Sequence, residues 1–391
     1  MVRADDPDQN STRTFSTEQS LLDSSGAWNL LWERSQSARP TSRADFIAKW
    51  AQHFASPAAL RAVVVESGSA SAQRPAAKEA SGEHALLAAL PLIESRLPLG
   101  IRVGSNPFSH WASAGEFLLD PAAEPETVDR LVEAVRTLGL PLLRLRGVPL
   151  SADAYKELEA SCRRLGLATY SHVTHDVGMV ELGSDYSTYM AGRSKNHRAH
   201  MRKAARRAER EGGVSLRIVS EGDSRELAEY VRSGFEVERS SWKGRRGSAV
   251  LDVPEIYRFF ESQAQLLSDA ASLHLVFLEH QGKPIAFEYG YLSQGHYFTP
   301  KVGYDESFAH LSPGQLLRAK LFEHFCGQTD APRVDFDGPL AAATAKWCSS
   351  TYPVGNLLVA LDRPRGASLL WAYRKIQQQK QRRREKRASR A

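Results

Sequence analysis

The chain has 391 residues, 25% of them charged and 42% hydrophobic, the proportions of an ordinary globular protein. That length exceeds one small core and points to two domains, and no apolar run approaches the roughly eighteen residues a membrane-spanning helix needs. Three scattered cysteines, Cys162, Cys326 and Cys348, exclude a disulfide framework and favour a reducing compartment. No Cys/His pair has zinc-ligand spacing, so no metal is expected. The polar stretch Met1–Ser20 lacks the apolar core of a secretory signal, and a cytoplasmic location is expected. The net charge of +6 belongs to the C-terminus: Arg374–Ala391 holds nine Lys/Arg and one Glu, whereas the rest carries 42 basic and 44 acidic residues. A solvated basic tail over 371–391 is expected.

In chain order, residues 1–25 are poor in apolar anchors and are predicted to be disordered. Trp28-Asn29-Leu30-Leu31-Trp32 opens the first half, and a helix follows through Phe46 and Trp50. Arg61–Val65 is strand-like, and Ser67–Glu83, rich in Ser, Ala and Gly, is predicted to be a mobile loop. Strands are expected at Ala85–Ile93, Leu99–Val103, Glu116–Leu119 and Leu142–Val148. Val128, Leu131, Val132 and Val135 give Pro125–Leu138 helical spacing, Ala152–Leu165 is a second helix, and this half closes near residue 180. The second half, 181–370, opens with a short helix at Ser184–Met190 and a long one at Ser194–Glu211, stopped by Gly212-Gly213. Val214–Ser220 is a strand, and Arg225–Glu238 and Pro254–Ser268 are helices. Then comes a β meander, Leu273–Glu279, Pro284–Leu292 and His296–Lys301, with turns at Gln281-Gly282 and Gln294-Gly295. Helix Gln315–Cys326, strands Val334–Phe336 and Tyr352–Ala360 and helix Ala367–Gln378 close it. There is no short tandem repeat; the order implies a mixed α/β sheet.

Four local patterns carry possible chemistry. In Leu311-Ser312-Pro313-Gly314-Gln315-Leu316-Leu317, Ser312 is a suitable N-cap and Pro313 a suitable first helical residue. Gly314 leaves space for an anion near the unpaired amides and partial positive charge of the helix start. Glu238–Gly247 is a basic loop bearing Trp242 and Lys243, suited to an anionic or sugar-like ligand or else to a solvated turn. The helix Lys195–Arg210 is basic, with Met201, Ala204, Ala205 and Ala208 as its packing stripe; its charges form a solvated face or bind phosphate or RNA. Finally, Glu288 lies within the meander, Tyr304 in the loop before the next helix and Asp337 at a strand end, where a carboxylate can take a proton and a phenol can return one, or where Asp337 caps a turn and Glu288 is paired, with Lys346 and Trp347 following. Glu288 alternates with Phe287, Tyr289 and Tyr291 and is expected on the opposite sheet face. No P-loop, dinucleotide glycine turn or Gly-x-Ser-x-Gly elbow is present.

Together, Glu211-Gly212-Gly213-Val214 after the basic helix, Ser241-Trp242-Lys243-Gly244, Gly282-Lys283-Pro284-Ile285-Ala286, Gly303-Tyr304-Asp305, Leu311-Ser312-Pro313-Gly314, Asp335-Phe336-Asp337-Gly338 and Lys346-Trp347 resemble the CelD/BcsL-type acetyltransferases of the GNAT superfamily, relatives of the FemA/FemX aminoacyltransferases. The likeness is strongest over 185–350. It implies two tandem GNAT-like halves, each a mixed, largely antiparallel sheet flanked by helices, with the acyltransferase centre in the second. It implies acetyl-CoA or another acyl-CoA held at Ser312, Gly314, Gln315 and Leu316, and catalysis through Glu288, Tyr304 and Asp337. A sugar or cell-envelope precursor would lie against Trp242, Lys243, Lys346 and Trp347. Two alternatives stand beside it: a FemX-like transferase using aminoacyl-tRNA, and a non-catalytic binding protein acting through the basic tail.

Overall fold

The structure, a computed structural model, describes residues 10–56, 58–68, 85–328 and 331–388. Residues 1–9, residues 69–83 of the expected Ser67–Glu83 loop and the last three of the basic tail lie outside the described residues. In chain order the elements are β1 (Ser11–Phe15), α1 (Glu18–Asp23), α2 (Ser25–Arg34), α3 (Ala44–Phe54), β2 (Leu60–Glu66), β3 (Leu86–Arg96), β4 (Arg102–Ser105), β5 (Leu118–Leu119), α4 (Pro125–Thr137), β6 (Leu142–Pro149) and α5 (Asp153–Arg164). Then follow β7 (Thr169–Val180), α6 (Tyr186–Ala191), α7 (Lys195–Arg210), β8 (Ser215–Val219), α8 (Ser224–Arg239), α9 (Trp242–Arg245), α10 (Pro254–Asp269), β9 (Leu273–His280), β10 (Lys283–Ser293) and β11 (His296–Tyr304). The chain ends with α11 (Pro313–Cys326), β12 (Arg333–Pro339), α12 (Ala342–Ala345), β13 (Ser350–Ala360) and α13 (Arg365–Ala388).

These elements form two compact units: unit 1 is Met1–Ser37, Thr41–Thr174 and Pro353–Ala391, and unit 2 is Ala38–Pro40 and His175–Tyr352. The fold is mixed α/β. In unit 1 the strands run β1-β2-β3-β4-β6-β13. All neighbours are antiparallel except β4 and β6, which are parallel and share only Gly104↔Leu143 and Ser105↔Arg144. Helices α4 and α5 cover one face, burying Val128, Leu131, Val132 and Val135 as their spacing predicts. On the other face Leu370 of α13 joins Val103, Leu142, Leu358 and Ala360.

Two expectations are corrected here. Part of the supposedly disordered N-terminus is ordered: β1 pairs with β2 from Ser11↔Glu66 to Phe15↔Ala62. Phe15 and Leu21 are buried, and Thr17 makes a capping box with Ser20. Two anchors and a backbone ladder suffice, and a ladder leaves no trace in composition. The expected end of the second half at residue 370 also moves, because β13 pairs antiparallel with β6 from Val354↔Pro149 to Ala360↔Leu142, which places Pro353–Ala391 in unit 1. The basic tail continues α13 to Ala388.

In unit 2 the order is β7-β12-β11-β10-β9-β8. Parallel pairing again occurs once, between β11 and β12, over His296↔Arg333, Tyr297↔Val334 and Phe298↔Asp335. Helix α11 packs on one face through Leu317, Leu321, Phe322 and Phe325. On the other, Phe235 of α8 and Phe260 of α10 stack with Phe287 and Tyr289 of β10. The α8 packing is close. A Cβ on Gly303 would lie 2.5 Å from Glu238 Cα, and one on Gly234 would lie 2.2 Å from the Phe287 ring. Among the described residues no helix is long and apolar enough to cross a membrane.

At Gly303 the obstacle is helix backbone, which cannot swing away. Gly303→Ala is therefore expected to destabilise the protein by about 1–3 kcal/mol, the usual cost of overpacking, read as a lower urea midpoint with unchanged slope. An unchanged midpoint would show that α8 is not held at this distance.

Candidate active site

The parallel pairing of β11 and β12 stops at Phe298↔Asp335, and at the same point β11 is bulged. Tyr291 faces Phe298 but Tyr289 faces Lys301, so β11 holds one residue more than β10 across this step. A bulge of this kind re-aims the side chains beyond it, and Pro300, with no N–H to give a ladder, sits within it. Strict alternation would put Lys301 on the α11 face with Tyr297, whose ring meets Phe325 of α11. Instead Lys301 Nζ lies 5.2 Å from the Phe260 ring centroid, on the α8–α10 face. Tyr304 falls on the α11 side, with its ring 3.9 Å from the position a Gly314 Cβ would take.

A polar cluster surrounds Lys301. Burial lowers its pKa to about 8, reinforced by Lys243 and opposed by Glu238 and Asp337. Lys243 Nζ donates to Glu238 Oε1 at 2.6 Å and to the Val302 carbonyl at 2.8 Å. The other oxygen of buried Glu238 accepts the Val250 amide. Across the gap, Asp337 is left-handed at φ 48° and accepts from Arg39, and the Asp337 amide donates to Asp335 Oδ1 at 2.7 Å. Such a conformation in a non-glycine residue persists only where neighbours over-determine it. Tyr352 donates to Asp335 Oδ2 at 2.7 Å, and Arg39 also lies over the Phe298 ring.

The other face is tied differently. Glu288 is 3% exposed and accepts from Arg318 Nη2 of α11 at 3.0 Å. Burial raises its pKa although Arg318 pulls the other way. Arg318 in turn lies over the Phe336 ring. Glu288 thus faces α11, opposite Phe287 and Tyr289, as its alternation predicts.

At the start of α11 the cap differs from the one expected. Ser312 holds the N-cap position in a left-handed conformation at φ 59°, and its hydroxyl makes no capping bond. Its carbonyl accepts from both Gln315 and Leu316. Pro313 is the first helical residue, as predicted, and a Cβ on Gly314 would make no more than an ordinary contact, with the Tyr304 ring. The Gln315 side chain faces the α12 segment: Oε1 accepts from Trp347 Nε1 at 2.9 Å and Nε2 donates to the Ala343 carbonyl. Trp347 is fully buried, edge-on to His197 and Phe322. Lys346 beside it is exposed. Leu316 lines a cavity of about 370 Å³ between α7 and α11 with Met190, Met201, Ala205 and Ala319. Trp242 is 44% exposed beneath Arg246.

Of the residues singled out from sequence, the structure brings Tyr304 beside Gly314, Gln315 beside Trp347, and Lys243 and Asp337 to the cluster around Lys301. It keeps Glu288 on the opposite face and buries Trp347. Sequence reasoning missed Arg39, Lys301 and Tyr352, and quoted Glu238 and Asp335 only as members of motifs, with no role of their own. Arg39 lies almost 300 residues from its partners and carries no local signal. Lys301 does carry one, as a lysine among the aromatic and β-branched residues of its strand, with Pro300 marking the bulge.

Residues 195–343 match the Acetyltransferase (GNAT) domain family. That segment, which lies within unit 2, carries an acetyltransferase domain of the GNAT kind. Its fold is similar to FemX, at 9% identity over 89% of this chain and 96% of that one, with a TM-score of 0.56. It is also similar to the C-terminal domain (DUF2156) of a putative lysylphosphatidylglycerol synthetase from Agrobacterium fabrum, at 13% identity over 90% and 96% of the two chains, with a TM-score of 0.52. At these identities the likeness is one of fold. No curated protein matches the chain in sequence.

In this GNAT unit the Glu288–Arg318 pair fastens α11 to β10. Arg318→Ala leaves a buried carboxylate without its cation and is expected to destabilise the protein by about 3–5 kcal/mol at neutral pH. The loss should shrink as the pH falls, because Glu288, with its raised pKa, takes up a proton and sheds the unpaired charge. Equal losses at pH 5 and pH 7.5, followed by chemical denaturation, would contradict a buried ionised pair.

Proposed function

We propose that this chain is an acyl-CoA-dependent N- or O-acyltransferase of the CelD/BcsL type, acting on a sugar or cell-envelope precursor. The observation that carries the reading is the parting of β11 and β12 beside the N-terminus of α11, at the bulge that turns Lys301 toward the acceptor side. When bound, the donor supplies a thioester carbonyl. The start of α11 suits its pyrophosphate in part: the fourteen-residue helix offers its positive end, and Gly314 leaves space for the anion. Gln315 and Leu316 turn their amides back to Ser312 and use their side chains elsewhere, so they shape the helix tip rather than grip the donor.

Lys301 is the group we assign to proton removal from the attacking amine or hydroxyl. With a pKa near 8, a substantial fraction is neutral amine just above neutral pH, the form that accepts a proton. Asp337 positions it electrostatically, and Arg39 holds Asp337 in turn. The Tyr304 hydroxyl, at the far end of the parted strand near Gly314, would return a proton to the departing thiolate. Glu288, locked to Arg318, has no such role and serves to hold α11. Lys243 is committed to Glu238 and the Val302 carbonyl, and Trp347 to the core. Of the four residues expected at the acceptor, Trp242 and Lys346 remain open to it.

Two measurements test this. Acetyl-CoA or a longer acyl-CoA at millimolar concentration should raise the melting temperature, and Gly314→Trp should abolish the rise. No shift with any acyl-CoA, or displacement of bound donor by aminoacyl-tRNA, would sink the acyl-CoA reading. Second, kcat/KM should climb with pH through a midpoint near 8 as Lys301 loses its proton. Lys301→Met should flatten that climb and cost about 10²–10⁴-fold, the range of general-base catalysis. A Lys301→Met profile that still rises near pH 8 would assign the proton to another group.

A further inference from the structure

Unit 1 carries an unmatched cationic cluster on β6. Arg144 and Arg146 are two apart on one strand and share a sheet face, and both are partly buried. The Arg144 guanidinium donates to the Ser105 hydroxyl at 3.4 Å. Arg146 donates to the Phe108 carbonyl at 2.9 Å and lies over the Phe108 ring. Among the described residues no carboxylate pairs with either; the Tyr373 phenol acts on both, and Arg144 acts on Arg146. Desolvation lowers the pKa of both, that of Arg146 to about 10. The Nε atoms of both arginines are buried with no hydrogen-bond partner.

A third unmet donor lies nearby. The Gly147 amide donates to Asn356 Oδ1 at 3.3 Å, which fixes the orientation of that side chain. Asn356 Nδ2 then donates to His172 Nε2 at 3.3 Å, leaving the ring proton on Nδ1, which is buried and unpartnered. The His172 ring stacks on Tyr170 and packs against Tyr373, and Arg374 lies over Tyr170. Donors without acceptors and cations without anions are costly when desolvated, and here they gather at one place.

The contrast with unit 2 sharpens the point. Arg144 ends the parallel pairing of β6 with β4, as Asp335 ends that of β12 with β11, and Arg146 and Asp337 lie two residues further on. In unit 2 the acids are matched by Arg39. In unit 1 nothing in the described chain matches the arginines.

We propose that unit 1 binds a phosphate-bearing ligand at Arg144 and Arg146, with His172 as an additional donor. Paired guanidinium groups suit a phosphate dianion, which accepts several charge-assisted hydrogen bonds at once. The experiment is calorimetric titration of the full chain with inorganic pyrophosphate, at ionic strength held constant with sodium chloride. Saturable binding is expected, weakened about tenfold or more by Arg146→Gln and less by Arg146→Lys, which keeps the charge but not the fork. Should Arg146→Gln fail to fold, Arg146→Lys carries the comparison. The site is separate from the proposed donor site of unit 2, so binding should survive Gly314→Trp. Absence of binding, or binding unchanged in both Arg146 variants, would overturn the proposal, as would binding lost in Gly314→Trp but not in the Arg146 variants. The acyl-CoA reading would stand in each of those cases.

Discussion

Unit 2 is organised around a pair of parallel strands that cannot stay together. β11 and β12 share three residue pairs and then separate, at the point where β12, paired with β7 through Val334 and Asp335, becomes irregular between Asp335 and Pro339. Beyond Phe298 one edge of β11 has no strand beside it, and unpaired backbone groups must find water, side chains or a ligand. Lys243 takes one of them, the Val302 carbonyl. The bulge at the parting point converts this backbone feature into a side-chain one: it puts Lys301 and Gly303 on the α8 face and Tyr304 on the α11 face. Gly303 is required there because the swapped register carries it against the α8 backbone.

The charges follow from that geometry. On the α11 face a single ion pair, Glu288–Arg318, is enclosed and has a structural purpose, since removing either member would strand the other. On the α8 face the charges form a chain, from Glu238 and Lys243 through Lys301 to Asp337, Arg39 and Asp335. Lys301 lies between two acids and one cation, and burial outweighs the acids, so its pKa falls rather than rises. The strained Asp337 is held by Arg39, a residue contributed by the three-residue segment 38–40 that the chain lends to unit 2 from within unit 1 sequence.

The patterns that repeat every two or four residues were legible in the sequence. The meander, the α4 stripe, the start of α11 and the alternation that places Glu288 opposite Phe287 all depend on near neighbours. What was not legible depends on distant partners or on broken periodicity. β1 is stabilised by a ladder to residues some fifty positions away, and β13 returns to a strand some two hundred positions earlier. Trp347, placed in the chain like a ligand-binding aromatic, is a core residue because His197 and Phe322 enclose it. Lys301 was hidden by the one-residue bulge, which reverses the face that alternation assigns. The Ser312 cap was read correctly as a position, but not as a hydrogen bond, because its left-handed backbone turns the carbonyl rather than the hydroxyl toward the following amides.

The same parting motif occurs in unit 1, where it is closed in a different way. There β4 ends at Ser105, one residue before Asn106, and the Asn106 side chain takes over the work of a strand. Its amide donates to the Arg146 carbonyl at 2.9 Å, and its oxygen accepts the Arg146 amide at 2.8 Å. The ladder is thereby continued by a side chain past the point where the strands would separate, and backbone groups that stay exposed in unit 2 are satisfied. With the gap closed, what remains of the motif in unit 1 is the sheet face toward α13, where Arg144 and Arg146 stand in the place of the acids of β12, and a cluster of unmet donors is suited to holding an anion in place rather than to moving a proton.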